Sequence, residues 1–227
     1  MADGWHSRAS CFGAVDGSTP QVEPRGLGLE AAHSRALAQL LPLLLCGEES
    51  AVLAFGHHAQ SPRWGTRARE DFGRMESDEA RHAGWLQGLQ VCLPPPEADL
   101  QLRRRVKQFF MRLASANLGI HLGHIAALDS AVCFILGRLR RSDVCRPDSP
   151  VTRVFESIHR DEARHVAIAR GYARELCSTS DLLACAAETR EQLTGILSAR
   201  AQAFEILGIC PDSLFKQLRT PPRRLFK

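Results

Sequence analysis

The chain has 227 residues, of which 44% are hydrophobic, 24% charged and 6% aromatic, with a formal net charge of +4. These values exclude a disordered chain, a collagen-like repeat and a coiled-coil rod, and leave a globular protein. So small a charge names no nucleic-acid partner by itself, and abundant Leu and Ala with a single Tyr favour helices over strands.

Residues 1–27, rich in Gly, Ser, Asp and Pro, predict a flexible N-terminal arm without an apolar secretory segment. A first helix is expected from about Leu29 to His58; its run Leu40 to Leu45 is too short to span a bilayer and leads into Glu48 and Glu49. Ser61-Pro62 reads as an N-cap followed by a first-turn proline, opening a second helix that Pro94-Pro95-Pro96 stops after Cys92. A third extends from Ala98 to Arg140, with a break or kink marked by Asn117, Gly119 and Gly123. Ser149-Pro150 repeats the start signal for a fourth helix ending near Cys177, and a fifth covers Ser180 to Leu207. The expected organisation is an arm (1–27), one all-α domain (28–207) built as an antiparallel four-helix bundle with an additional C-terminal helix, and a short helix with a basic tail (208–227).

Eight Cys are scattered without a CxxC pair, which argues against a zinc knuckle or thioredoxin motif; reduced thiols in a cytoplasmic protein are the expectation. The basic run Arg103-Arg104-Arg105-Val106-Lys107 and the tail Arg219 to Lys227 read as solvated faces.

Two features recur in order. Glu49-Ser50-Ala51-Val52 on the first helix matches Asp129-Ser130-Ala131-Val132 on the third, and Asp78-Glu79-Ala80-Arg81-His82 is identical to Asp161-Glu162-Ala163-Arg164-His165. The acid-to-Glu spacings are 30 and 33 residues. Glu and His at i and i+3 share one helix face, so inward-facing copies bring four carboxylates (Glu49, Glu79, Asp129, Glu162) and two imidazoles (His82, His165) together. Such a cluster in an apolar core costs several kcal/mol per unpaired charge, on the order of magnitude expected for buried ions. Two divalent cations neutralise it, and the oxygen/nitrogen donor set suits iron or manganese.

Over roughly residues 29–207 this pattern resembles the ferritin-like superfamily of non-haem di-iron carboxylate proteins. The Asp-Glu-x-Arg-His form is similar to that of bacterial multicomponent monooxygenases. The resemblance implies that Asp78 supports His165 and Asp161 supports His82, with Arg81 and Arg164 behind these acids. Asp129 stands where the superfamily usually has Glu, and His121 is the alternative ligand there. An extra histidine in arylamine N-oxygenases lies four residues before the Glu, where this chain has Ile158; His159 therefore reads as a rim residue or extra ligand. His57, His58 and His124 read as rim or packing residues, and Glu48 as a solvated or rim acid. Val52, Leu53, Leu122, Ile125, Ala126, Val132 and Cys133, with Gly56 and Gly123, are the expected walls of an apolar pocket.

The resemblance implies an O2-dependent oxidase or oxygenase acting on a small, largely apolar metabolite, with two Fe ions (Mn as the alternative) and O2 as co-substrate. Few oxidisable Tyr or Trp near the metals agree with oxidation aimed at a substrate. A ferredoxin or reductase as electron donor and a homodimer belong to the same expectation, with no membrane and no nucleic acid. A ferritin- or rubrerythrin-like ferroxidase and a tRNA-modifying di-iron hydroxylase are the alternatives; a radical-generating subunit is disfavoured by the place of Tyr172.

Overall fold

The computed structural model describes residues 11–12, 27–142, 144–222 and 224–226. Most of the expected arm and part of the basic tail lie outside them. The described residues form an all-α helical bundle fold without strands. The chain divides into two compact units, Met1–Lys107 and Gln108–Lys227.

In the first unit, α1 (Ala31–Gln60) packs against α2 (Thr66–Val91). Their short connection makes the pair an antiparallel αα-hairpin. Buried positions on α2 recur at Phe72, Met75, Glu79, His82, Leu86 and Leu89. This alternation of three and four residues is the seam of a helix facing a partner. On α1 the same phase runs through Leu41, Leu45, Glu48 and Phe55. The polar residues at mid-seam therefore interrupt two otherwise apolar stripes.

The expected start at Ser61-Pro62 is corrected. Ser61 closes α1, its backbone N–H donating to the His58 carbonyl, and α2 begins after Gly65, which has no side-chain cap. His58 anchors the turn: it is fully buried, its Nδ1 accepts from Trp64 Nε1 at 3.2 Å, and its ring lies 5.0 Å from that of Phe72.

α3 (Leu100–Leu113) crosses the unit boundary. It buries Leu102, Val106, Phe109, Phe110 and Leu113 while Arg104, Arg105 and Lys107 are exposed. The basic run is thus the wet face of an amphipathic helix.

In the second unit, α4 (Leu118–Arg140) packs against α5 (Pro150–Leu176) and α6 (Thr179–Leu197). The long third helix of the sequence reading is broken at 114–117. Asn117 caps α4, its Oδ1 accepting from the Gly119 and Ile120 amides at 3.0 and 3.2 Å. Gly119 and Gly123 lie inside α4 and serve close approach rather than a kink. A Cβ on Gly119 would sit 2.5 Å from Cys177 Sγ and 2.8 Å from Leu176 Cβ, and one on Gly123 would meet Leu182 at 2.9 Å. Ser149 caps α5 as expected, accepting from the Thr152 amide, with Pro150 in the first turn. The seam of α5 runs through Val151, Phe155, Ile158, Glu162, His165 and Ala169, all buried.

The fifth helix ends at Leu197 and continues through a 3-10 turn (Ser198–Arg200) into α7 (Ala201–Ile206); α8 (Pro211–Leu218) follows Gly208, whose positive φ of 75° reverses the chain. Arg190 on α6 is almost wholly buried, and burial lowers its pKa to about 10. Its guanidinium donates to the Leu218 carbonyl at 3.1 Å and to Ser130 Oγ at 2.6 Å, joining α8, α6 and α4. The C-terminal segment is more than a basic tail, because Leu225 and Phe226 are buried.

By length and composition, α1 and α4 are apolar enough to cross a membrane. Both carry buried carboxylates, Glu48 and Glu49 on α1 and Asp129 on α4.

Candidate metal centre

Each unit contains three buried side chains that together could hold a metal ion. In the first, donor atoms of Glu48, Glu79 and His82 lie within 4.8 Å of one another. His82 Nδ1 is 3.2 Å from Glu79 Oε2 and 3.4 Å from Glu48 Oε2, so one imidazole nitrogen serves two carboxylates. All three side chains are buried, His82 completely. Burial pushes the Glu48 carboxyl up to about 8; the charge and hydrogen bond of Glu79 add to the rise, and His82 offsets part of it. Without a cation, a proton relieves the repulsion between the two carboxylates. A divalent ion would take over that role and keep both ionised.

In the second unit, donor atoms of Asp129, Glu162 and His165 also lie within 4.8 Å of one another, all buried. His165 Nδ1 is 3.9 Å from Glu162 Oε1. Cys133, one turn after Asp129, has its thiol pushed up to about 12 by burial first and then by the carboxylates of Glu162 and Asp129. It therefore remains a neutral thiol beside the acids.

The repeated pentapeptide also places its outer residues alike. Arg81 pairs with Asp78 at 2.5 Å and Arg164 with Asp161 at 3.1 Å, each one helical turn apart. The Arg81 guanidinium lies 5.4 Å over the Trp85 ring, which in turn is 5.7 Å from the His82 ring. An oxidisable indole thus neighbours a candidate ligand, contrary to the expectation from composition.

Glu49, the acid expected from the repeat match, is buried, and its Oε2 accepts from the Cys11 and Phe12 amides at 2.6 and 3.0 Å. Glu48, read from sequence as a rim acid, is the one beside Glu79 and His82. The seam phase set by Leu41, Leu45 and Phe55 was the available signal for Glu48. A disulfide joins Cys11 to Cys46, one turn before Glu49, which corrects the expectation of reduced thiols throughout.

His121 and His159 join neither set among the described residues. The pKa of His159 is lowered by burial and by Arg140 and Arg141. His124 packs within the second unit, its Nδ1 2.8 Å from Thr189 Oγ1 and 3.1 Å from Cys185 Sγ. Of the expected pocket walls, Leu122, Ile125 and Ala126 are buried, Val52, Val132 and Cys133 half-buried, and Leu53 is 57% exposed. Leu53 is therefore no wall residue; five residues past Glu48, it faces away from the α1 seam.

Comparisons with protein-family models, curated proteins and solved structures give no match to this chain.

Proposed function

We propose that the protein binds two redox-active divalent metal ions per chain, iron first and manganese second, and is an O2-dependent oxidase or oxygenase of the ferritin-like kind. The observation that carries this reading is the pair of buried three-donor sets, each with a Glu-x-x-His from one helix and an acid from the helix before it. The donor chemistry fits such ions: two carboxylates balance one divalent charge, and one imidazole adds a nitrogen.

Glu48, Glu79 and His82 would hold one ion, and Asp129, Glu162 and His165 the other. Bound in the reduced state, the ions would supply electrons for dioxygen activation. The chain's own residues prepare the sites. Glu79 and Glu162 present carboxylate oxygens beside His82 and His165 from the same helix face. Arg81 and Arg164 hold Asp78 and Asp161 in place, and these acids are the candidates for orienting ligand imidazoles. Burial of every donor excludes water and keeps competing hydrolysis away. The apolar side chains Leu122, Ile125 and Ala126, one and two turns before Asp129, favour a small, largely apolar organic substrate.

Anaerobic loading with ferrous iron followed by metal analysis tests the reading. About two ions per chain are expected, and O2 admitted to the loaded protein should give a transient visible absorbance. Absence of bound iron or manganese overturns it. Excess ferrous iron with measurement of particle mass separates an oxygenase from a storage cage that fills with mineral.

A further inference from the structure

We propose that the cavity between the end of α4 and the start of α8, within the second unit, binds a small phosphate dianion, free or as the monoester of a small molecule. This goes beyond the metal-binding reading and does not rest on it, because no side chain lining the cavity belongs to either donor set.

The reversal at Gly208 sets the start of α8 beside the end of α4, and a cavity of about 250 Å³ lies between them. Arg138, Arg141 and Ser142 line it from α4, and Cys210, Ser213 and Leu214 from α8. Pockets for drug-sized ligands run from about 300 to 1,000 Å³, so this one suits a phosphate carrying at most a short organic group.

Two guanidiniums set its charge. Arg138 and Arg141 are three residues apart at the end of α4 and share a face. Arg138 is held by the Phe134 ring, 5.3 Å from its Cζ, and by Gln217 Oε1, to which its Nη2 donates at 2.8 Å. Arg141 lies back along its own helix against Gly137, where a Cβ would meet its two terminal nitrogens at 3.4 and 3.5 Å. Among the described residues no carboxylate pairs with either arginine. Their field is felt nearby: His159 has its pKa lowered by burial first and then by Arg140 and Arg141.

The hydrogen bonds around the cavity leave donors over. Arg138 can only donate, so Gln217 turns its carbonyl to it and gives its amide to Ser213 Oγ at 3.0 Å. Ser213 accepts in that bond and keeps its own proton to donate. On the opposite wall Ser142 Oγ donates to the Leu139 carbonyl at 2.8 Å, and the amides of Arg141 and Ser142 take the Arg138 and Leu139 carbonyls. These backbone acceptors are used, whereas the Arg141 fork and the Ser213 hydroxyl remain. The carbonyl end of α4 and the amide end of α8 offset each other, so the arginines decide the sign. Asp212, the acid in the first turn of α8, is exposed and does not line the cavity. Two positive charges match the charge of about −1.5 to −2 on a phosphate monoester near neutral pH, and guanidinium forks match its oxygens. A carboxylate would neutralise only one of them.

The test uses the full chain, stripped of metal with a chelator and desalted so that no bound cation can hold phosphate. Calorimetric titration with inorganic phosphate and with glycerol 3-phosphate, at constant ionic strength, should show a single site. Arg141→Gln alters an exposed side chain and leaves the core untouched; it should weaken binding about tenfold, the scale of a lost charge-assisted hydrogen bond. Arg112→Gln, an equal loss of charge at an exposed position on α3, should leave the affinity unchanged. Tighter binding of glycerol 3-phosphate assigns an ester as the ligand, tighter binding of inorganic phosphate assigns the free ion, and equal binding assigns the phosphate group alone. Absence of binding, or equal effects of Arg141→Gln and Arg112→Gln, overturns the proposal and leaves the metal reading standing.

Discussion

The helix pairs α1–α2 and α4–α5 carry the same pentapeptide and the same order of acid, Glu and His, yet they complete their candidate donor sets differently. Within the second helix of each pair the copies agree, because an i,i+3 spacing on an α-helix fixes both the Arg–Asp pair and the Glu–His pair. The third donor differs. In α4 it is Asp129, which the repeat match names; in α1 it is Glu48, while the matched Glu49 binds the Cys11 and Phe12 amides. Local sequence thus dictates what one helix presents, whereas the contribution of the neighbouring helix depends on what else claims its carboxylates.

The strongest way to break this comparison is to remove one donor from each copy. Glu79→Ala and Glu162→Ala should each abolish retention of the ion held by their own unit, lowering bound metal from about two ions per chain to one or fewer. Full occupancy of either variant, measured by metal analysis, would show that the two sets are not equivalent ligands. Next in size is Gly119→Ala in the second unit. The added Cβ meets Cys177 and Leu176 at 2.5 and 2.8 Å, and overpacking of this kind costs about 1–3 kcal/mol in denaturant unfolding. Gly73 in the first unit has only a contact at 4.0 Å, so Gly73→Ala should be neutral or slightly stabilising, as helix propensity dictates.

A third prediction concerns pH and belongs to the first unit. Glu48 has its pKa raised from 4.5 to about 8 by burial and by Glu79. Its folded form therefore holds a proton that the unfolded chain has already released. Its contribution to stability is fully present below about pH 4.5 and is lost as pH rises through about 8. Metal-free protein should show a melting temperature that falls over this window, and Glu48→Gln should flatten the fall. A slope that persists in Glu48→Gln would move the effect to another group. The smallest expected effect sharpens the comparison of the outer pairs. Arg81 and Arg164 are 44% and 49% exposed, so Arg81→Ala and Arg164→Ala should each change unfolding free energy by less than about 1 kcal/mol. If Asp78 and Asp161 orient ligands, the same variants should still weaken metal affinity, read by calorimetry.

Much of the fold was legible in the sequence. The Ser149-Pro150 start, the proline stop after α2 and the Asn117 break are set by capping chemistry that acts within a few residues. Ser61-Pro62 misled because the same two residues serve equally well to end one helix and form the turn beyond it. Here the aromatic contacts of His58, Trp64 and Phe72 decide where the next helix starts. The pentapeptides were legible for the same local reason. Glu48 and Glu49 were not, since two adjacent acids lie about 100° apart around the helix. Choosing between them required knowing that backbone amides 37 and 38 residues away arrive at Glu49. The periodicity of Leu41, Leu45 and Phe55 pointed to Glu48, and the repeat match pointed to Glu49; tertiary contacts satisfied both acids in different ways. Trp85 escaped notice because composition counts aromatic residues without locating them.

The buried guanidinium of Arg190 has a consequence for the order in which the molecule is made. Every donor of the first set lies within the first 82 residues of the chain, so that helix hairpin can emerge and close before the second unit is complete. The second unit cannot, because Arg190 waits for a carbonyl at Leu218, and the core around it for Leu225 and Phe226. Domains generally fold as units, N-terminal first, during synthesis. The growing chain therefore carries one finished helix hairpin ahead of a second unit that still holds an unsatisfied cation. Ribosome-bound chains long enough to have released Met1–Lys107 but stopped before Leu218 should resist protease in the first unit only.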